Sequence, residues 1–581
     1  MQAAVLLLQT LQQRGLRHVV LCPGSRSGPL ALAAAGLTKA GLLTLTTAID
    51  ERSAGFHALG LSTASGIGTA VITTSGTAVA NLLPAAVEAD RSCQPLLLIT
   101  ADRPMRLKNK GANQTVNQEA FLTPVCRWCA SGPLDGAIGE FDHEVQTLAH
   151  NAWLHLHQQP GPVHLNCPFE EPLLPDLKDQ QLFWAQWQGA DPLIGTPNPE
   201  YWRPTEEAPA LEPDQPGVII AGPWRGLSTN LKSYQHALIA WQKRSGWPVL
   251  ADPLSAIPGS LGGVIRHWDL LLPNGLSNLP PSAQVLRLGP MPASRRLEAW
   301  ISSQEGPQLL ITENEPRTLD PLGVAQQWGG GFACWWQQHS LQLKAVAEIS
   351  SVGPPRAESA LQAWSAADVG VPPHLRDLLP LQGAVTEPAL MLAMAQLLPD
   401  AMPLMLAASS PVRDWQAFAA ADTGRRRCYS FRGASGIDGT LSLALGLAAE
   451  LGPTVLITGD LALLHDSNGW LLATAANLPL FVVMIDNGGG GIFEQLPIET
   501  SFEQAFEQLF AMPQRVDQLA LAAAHAVPVR QLACLEDLPA ALEWGWGCSG
   551  PALLRVCTNR RNDAKLRLDL REAVQQNISF P

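Results

Sequence analysis

Residues 454–493 read TVLITGDLALLHDSNGWLLATAANLPLFVVMIDNGGGGIF, and their order decides the architecture. An apolar run ends in Gly459-Asp460, a helical stretch follows, and a second apolar run ends in Asp486-Asn487 and four glycines. This is strand, helix, strand, with polar residues where each strand stops. An acid after one strand and an amide after the next can jointly hold a hard cation through oxygen atoms. The glycines let backbone approach a phosphate closely. Mg²⁺ usually binds through one or two carboxylates plus a ligand's phosphates, so a metal and a diphosphate are expected together.

The chain contains a partner to this segment. Residues 69–100, TAVITTSGTAVANLLPAAVEADRSCQPLLLIT, repeat the order of strand, small-residue turn, helix and strand, with Pro95-Leu96 opposite Pro479-Leu480. Two such units predict two α/β domains of similar architecture, one toward each end of the chain.

A length of 581 residues exceeds what one core serves, and about three domains are expected. The first is expected over 1–180, a Pro- and Trp-rich linker over 181–216, a middle α/β domain over 217–349, a Ser/Pro/Ala-rich linker over 350–373, and the last domain over 374–581. The middle domain alternates apolar runs with helical stretches, which predicts a parallel sheet, and its lack of G-x-G-x-x-G argues against a dinucleotide site. With 38 basic against 51 acidic residues, the net charge of −13 argues against general nucleic-acid or anionic-membrane binding. No apolar run reaches the length of a membrane span, and the opening MQAAVLLLQTLQQRG reads as an amphipathic helix of a cytoplasmic enzyme. Of ten cysteines only Cys126 and Cys129 form a CxxC, with no second pair to complete a zinc site.

Glu51 lies past an apolar run and ahead of a helix expected over 53–61. A carboxylate near a helix N-terminus is common because the dipole favours it, so Glu51 alone says little. Its neighbours in sequence say more. Cys22-Pro23-Gly24-Ser25-Arg26-Ser27, Asp50-Glu51-Arg52, Thr74-Ser75-Gly76-Thr77 with Asn81, and Thr100-Ala101-Asp102-Arg103-Pro104 stand in the N-terminal part. Gly111-Ala112-Asn113-Gln114 and Arg432-Gly433-Ala434-Ser435-Gly436-Ile437-Asp438-Gly439 complete the set. With the Gly-Asp…Asn segment these motifs resemble the 2-succinyl-5-enolpyruvyl-6-hydroxy-3-cyclohexene-1-carboxylate (SEPHCHC) synthase family of thiamine diphosphate enzymes. The matches cover most of both terminal domains, and the middle domain matches faintly.

The resemblance implies thiamine diphosphate with Mg²⁺ or Mn²⁺, bound between pyrimidine-binding and diphosphate-binding α/β domains. It implies that Glu51 hydrogen-bonds the pyrimidine and sets its tautomer, the protein supplying geometry and the cofactor the carbanion chemistry. Pro23, Thr77 and Asn81 would hold the cofactor from the N-terminal side. Ser409, Gly436, Ile437, Gly459, Asp460, Leu461, Asn487, Gly489 and Ile492 would hold it from the C-terminal side. Asp460, Asn487 and Gly489 would hold the metal, and Ile437 would keep the cofactor bent. The implied reaction decarboxylates 2-oxoglutarate and adds the succinyl-semialdehyde carbanion to isochorismate by 1,4-addition, in menaquinone or phylloquinone biosynthesis. Both substrates are anionic, which calls for arginine, whose fork pairs bidentately with carboxylates. Arg26, Arg103, Arg413 and Arg432 stand at family positions, and Arg295-Arg296 resemble a basic pair from the middle domain. Ser25, Asn113, Gln114, Ile492 and Phe493 complete the implied substrate pocket. A homodimer, or a dimer of dimers with sites at the subunit interface, is implied as well.

Five positions depart from the pattern, one of them Gly488, which stands where some members have a further Asn. Leu461 replaces a glycine of the wider superfamily, Asp486 replaces the first Asn of a usual pair, Ala408 stands for Asn, and Arg295 for Lys. Another thiamine diphosphate enzyme acting on 2-oxoacids, such as an acetohydroxyacid synthase relative, is the alternative. A non-catalytic α/β binding protein is the alternative from another class. No HExxH, G-x-S-x-G or Walker motif competes.

Overall fold

The computed structural model describes residues 1–132, 142–187, 207–272, 282–347, 357–496, 503–578 and 580. They build three six-stranded sheets in which every strand pairing is parallel. Parallel sheets need both faces covered, and the near-continuous apolar runs of the sequence meet that requirement.

The first sheet consists of β1 (His18–Leu21), β2 (Thr44–Thr47), β3 (Thr69–Thr73), β4 (Leu96–Asp102), β5 (Trp128–Ser131) and β6 (Pro162–Pro168), in the order β2-β1-β3-β4-β6-β5. The second contains β7 (Gly217–Ala221), β8 (Val249–Ala251), β9 (Val264–Ile265), β10 (Gln284–Leu288), β11 (Gln308–Ile311) and β12 (Gln326–Trp328), ordered β12-β11-β10-β7-β8-β9. The third contains β13 (Leu404–Leu406), β14 (Cys428–Tyr429), β15 (Thr454–Gly459), β16 (Leu480–Asp486), β17 (Val529–Leu532) and β18 (Ala552–Cys557), ordered β14-β13-β15-β16-β18-β17. Counted from its own first strand, the third sheet has the order of the first. The internal similarity between residues 69–100 and the decisive segment is thus a similarity of whole sheets, with β3 and β4 corresponding to β15 and β16.

The two terminal domains meet through the helices Glu51–Ser65 and Thr440–Leu451. A side chain at Gly60 would strike the Leu443 carbonyl at 2.2 Å, and one at Gly446 the His57 carbonyl at 2.1 Å. Two glycines therefore let the helices cross in backbone contact, and one apolar cluster runs through both domains, from Phe56 and Val71 to Leu441 and Val482. Where the crossing begins, the buried Asp466 accepts hydrogen bonds from Ser53 Oγ at 3.2 Å, Ser442 N at 2.7 Å and Ser442 Oγ at 3.1 Å. Burial raises its pKa to about 7 against those donors, the result expected of a structural acid desolvated at an interface.

Three expectations need correction. The helix expected over 53–61 begins earlier, because Asp50 caps it by accepting from the amides of Arg52 and Ser53, and Glu51 is its first residue. The first linker opens with the helix Leu177–Gln186, and Phe183 and Trp187 are buried in the N-terminal core; its residues 188–206 lie outside the described ones. The second linker, whose residues 350–356 also lie outside them, is helical from Ala357 to Leu378 despite Pro372 and Pro373. Trp364, Ala367, Val371 and Leu375 repeat at helical spacing and are buried between the middle and C-terminal domains. That apolar stripe outweighs the proline penalty. No helix of the described residues is long and apolar enough to cross a membrane.

Candidate active site

Ligands of open parallel sheets bind beyond the carboxyl ends of the strands. The candidate residues obey this rule in both terminal domains. Pro23 to Arg26 follow β1, Glu51 follows β2, Thr77 and Asn81 follow β3, and Arg103, Asn113 and Gln114 follow β4. In the third sheet Ser409 and Arg413 follow β13, Arg432, Gly436 and Ile437 follow β14, Asp460 and Leu461 follow β15, and Asn487 to Phe493 follow β16. The same four strand ends are used twice.

In the N-terminal half the loops are tied together. A Cβ at Gly24 would lie 2.3 Å from that of Thr74, so only glycine lets the loop after β1 reach the loop after β3. Arg103 donates to Ser75 Oγ and, at 3.2 Å, to the Gln114 carbonyl. Gln114 has left-handed backbone (φ 58°) and spends an amide N–H on the Ser75 carbonyl at 2.8 Å, so its side chain helps shape the loop. Asn113 and Ser25 are exposed. Arg26 pairs with Glu171 at 3.0 Å. Burial, then the charge of Arg26, lowers the pKa of Arg103. Behind these loops Gln118, absent from the sequence-derived set, accepts from Gly76 N at 3.0 Å and donates to Asn166 Oδ1 at 2.8 Å. Nothing local in the sequence distinguishes it from other polar loop residues.

The C-terminal half gathers oxygen atoms. Asp460, the first residue of the helix Asp460–His465, accepts from Leu461 N and Gly489 N, each at 2.8 Å. Burial, and secondarily the charge of Asp486, raises its pKa to about 6. A carboxylate so desolvated, with no basic partner among the described residues, is suited to a cation. Asn487 donates through Nδ2 to Glu387 at 2.7 Å, while its buried Oδ1 has no hydrogen-bond partner. An orphaned buried acceptor is costly unless something outside the protein satisfies it. Gly489 (φ 119°) leaves no room for a side chain, since a Cβ would lie 2.0 Å from the Ala511 carbonyl. A carboxylate, an amide oxygen and a glycine-lined turn make an all-oxygen set that fits a hard divalent ion and a diphosphate. Asp486, the departure from the usual Asn pair, is held at 2.6 Å by Arg555 of the neighbouring strand β18.

Arg413 and Arg432 face the same side. Partial burial and the charge of Arg432 lower the pKa of Arg413, whose Nη1 donates to the Ser409 carbonyl at 2.6 Å. Ser409 itself has φ 74°, a strained value that turns the chain sharply at the end of β13. Ile437 precedes the crossing helix, and Phe493 is 38% exposed, its ring 5.9 Å from that of Phe510. In the middle domain Arg295 and Arg296 open the helix Arg295–Ser302, Arg296 lying in the field of Asp269 and Arg571 at the boundary with the C-terminal domain. Between the terminal domains a cavity of about 320 Å³ is lined by Phe56, Leu83, Phe431, Gly436 and Asp438.

Within one chain, no hydrogen bond or ion pair among the described residues joins the N-terminal candidates to the C-terminal ones. The residues flanking Glu51 dock elsewhere on the C-terminal domain. Asp50 accepts from Asn468 Nδ2 at 2.7 Å, and Arg52 donates to the His465 carbonyl at 3.0 Å. That is the far end of the helix that Asp460 begins.

Comparison with known proteins shows the family of the chain. Residues 1–121 match the family described as thiamine pyrophosphate enzyme, N-terminal TPP binding domain. Residues 193–405 match the middle domain of thiamine pyrophosphate enzymes, and residues 414–556 their C-terminal TPP binding domain. A protein of Synechococcus sp. (strain CC9311) named 2-succinyl-5-enolpyruvyl-6-hydroxy-3-cyclohexene-1-carboxylate synthase is 73% identical over 576 residues, covering 99% of this chain and 100% of that protein. A protein of the same name from Prochlorococcus marinus (strain MIT 9313) is 57% identical, covering 97% and 98%. Among solved structures, benzoylformate decarboxylase from Polynucleobacter necessarius superposes with a TM-score of 0.64 at 17% identity, covering 96% of this chain and 98% of that one. At that identity the likeness concerns the fold alone.

Proposed function

We propose, from the premise that this chain belongs to the 2-succinyl-5-enolpyruvyl-6-hydroxy-3-cyclohexene-1-carboxylate synthase family of thiamine pyrophosphate enzymes, that it performs that family's reaction in menaquinone biosynthesis. Thiamine diphosphate, when bound, supplies the carbanion chemistry that removes CO₂ from 2-oxoglutarate and adds the succinyl-semialdehyde unit to isochorismate. Glu51 presents a carboxyl to the pyrimidine and holds its proton. Asp460, Asn487 Oδ1 and the Gly489 turn hold Mg²⁺ and the diphosphate. Ile437 supports the cofactor, and Ile492 and Phe493 wall the reacting carbon from water. The setting is cytoplasmic.

The observation that carries the substrate assignment is electrostatic. Among the described residues, Arg103, Arg413 and Arg432 have no carboxylate within 4.0 Å, in a protein of net charge −13. The acids that act on them, Asp102 and Glu171 on Arg103 and Asp414 on Arg413, do so from beyond ion-pair distance. Cations left unpaired at both sets of strand ends suit two substrates that together carry four carboxylates.

These strand ends belong, in this reading, to two copies of the chain. Closed twofold pairing would set the N-terminal half of one copy against the C-terminal half of the other and form two equal sites. What supports it is that, among the described residues, the bonds joining the two halves within one chain, such as those of Asp50, Arg52, Ser53 and Glu88, do not run through the candidate site side chains.

Protein supplied with thiamine diphosphate and Mg²⁺ should consume 2-oxoglutarate only when isochorismate is present. Equal consumption without isochorismate would make the chain a simple decarboxylase. In the same assay, Arg413→Ala and Arg432→Ala should each raise KM or lower kcat by about ten- to a hundredfold, the cost of one lost charge-assisted hydrogen bond of roughly 1.5–3 kcal/mol. Kinetics within twofold of the parent for both would place these arginines outside the pocket.

A further inference from the structure

Asn487 must present oxygen, not nitrogen, to a cation, and its own side chain cannot enforce that choice. The two ends of an amide have nearly the same shape, and the hydrogen-bond partner decides which way it points. Here the partner is Glu387, the first residue of the helix Glu387–Leu397, 100 positions away in sequence. Its Oε1 lies 2.7 Å from Asn487 Nδ2. A carboxylate accepts only, so the amide nitrogen is held against it and Oδ1 is left facing away, buried and without a partner.

Glu387 is in turn fixed from behind. Arg567, on the helix Arg560–Asn577, donates through Nη2 to Glu387 Oε2 at 2.6 Å and through Nε to Asp414 Oδ1 at 2.7 Å. Asp563 Oδ1 accepts the Glu387 backbone N–H at 3.1 Å. Glu387, Asp414 and Arg567 are 1%, 3% and 7% exposed. Such a buried charged group is weak evidence for stability, since well-packed apolar residues often serve a core as well or better. Its geometry fits a different task. Asp414 directly follows Arg413, so one guanidinium ties the Asn487 orientation to the seat of the helix Ser410–Phe418 that carries Arg413.

We propose that Glu387, held by Arg567, is a positioning residue that orients the Asn487 amide so that Oδ1 faces the divalent cation; this rests on the reading of Asp460 and Asn487 as the cation site. Substituting glutamine at position 387 keeps the shape and reverses the logic. Arg567 offers only donors, so it draws the glutamine oxygen and turns the glutamine NH₂ toward Asn487. Asn487 must then answer with Oδ1, and its own NH₂ points at the cation.

The test is a cycle of variants read by Mn²⁺ binding in the presence of thiamine diphosphate, free ion being counted by its EPR signal. Glu387→Gln should weaken Mn²⁺ about ten- to a hundredfold, the usual effect of losing an outer-shell partner. Asn487→Asp should also weaken it, because two carboxylates would then face each other. The double variant should bind much more tightly than either single one, since glutamine NH₂ now meets a carboxylate that keeps an oxygen free for the ion. Additive losses, or an unchanged affinity for Glu387→Gln beside a weakened Asn487→Ala, would overturn the positioning role. Wild-type affinity in Asn487→Ala would instead overturn the cation-site reading beneath it. Should Glu387→Gln alone fold poorly, recovery in the double variant still decides the matter.

Discussion

Glu51→Gln should lower turnover about 10²–10⁴-fold, the usual share of a positioned acid or base, while leaving cofactor affinity largely intact. The amide preserves shape and a hydrogen bond but cannot hold the pyrimidine proton as the carboxyl does. The structure places Glu51 at the first position of its helix, with Asp50 rather than Glu51 doing the capping. The substitution therefore removes no capping bond, and the fold should be indifferent to it. Exchange of the cofactor's reactive C–H proton with solvent is the direct readout. Exchange at the parent rate in the variant would refute the assignment.

Asp460→Ala should weaken Mg²⁺ and thiamine diphosphate together, because in the proposed site Asp460 would hold the ion that the diphosphate also needs. Its effect should be at least the roughly 10–100-fold seen for loss of an outer-shell partner, since a charged direct ligand is removed. The apoprotein should tolerate the change. Burial raises the pKa of Asp460 to about 6, so its ionised form costs the empty fold stability that is lost as pH rises toward that value. Cofactor titrated at saturating Mg²⁺ with unchanged affinity would reduce Asp460 to a strand-end residue.

That the candidate residues stand at strand ends was legible in the sequence, for a physical reason. At the end of a parallel strand the chain must turn, and the residues allowed there are few and local: glycines for the turn, an acid or amide for the ligand. Gly459-Asp460 and Asn487 with its glycines are of this kind, and so are Pro23 to Arg26 and Gly76. The duplicated sheet was legible for the same reason, since β3–β4 and β15–β16 carry the same punctuation.

What could not be read is non-local. Glu387 and Arg567 meet across 180 positions, and neither stands in a motif. In sequence, Thr386-Glu387-Pro388 is an ordinary helix start, and only the fold shows its carboxylate aimed at Asn487. The second linker was misread for another reason. Its serines, prolines and alanines dominate the composition, whereas burial depends on Trp364, Ala367, Val371 and Leu375 at helical spacing. Composition averages over a face that the helix separates. Gln114 was read as a donor to substrate, yet part of that capacity goes to the Ser75 carbonyl.

The claim at the centre of this account is that Glu51 and Asp460 serve one cofactor from two copies of the chain. Consider a mixed dimer, purified through two different tags, in which one subunit carries Glu51→Gln and the other Asp460→Ala. If the site is shared between subunits, one of its two sites receives both defects and the other receives neither. Two inactive variants should then give a mixed dimer with about half the parent turnover. If each site lay within a single chain, every site would keep one defect, and a mixed dimer as inactive as its parents would contradict the account.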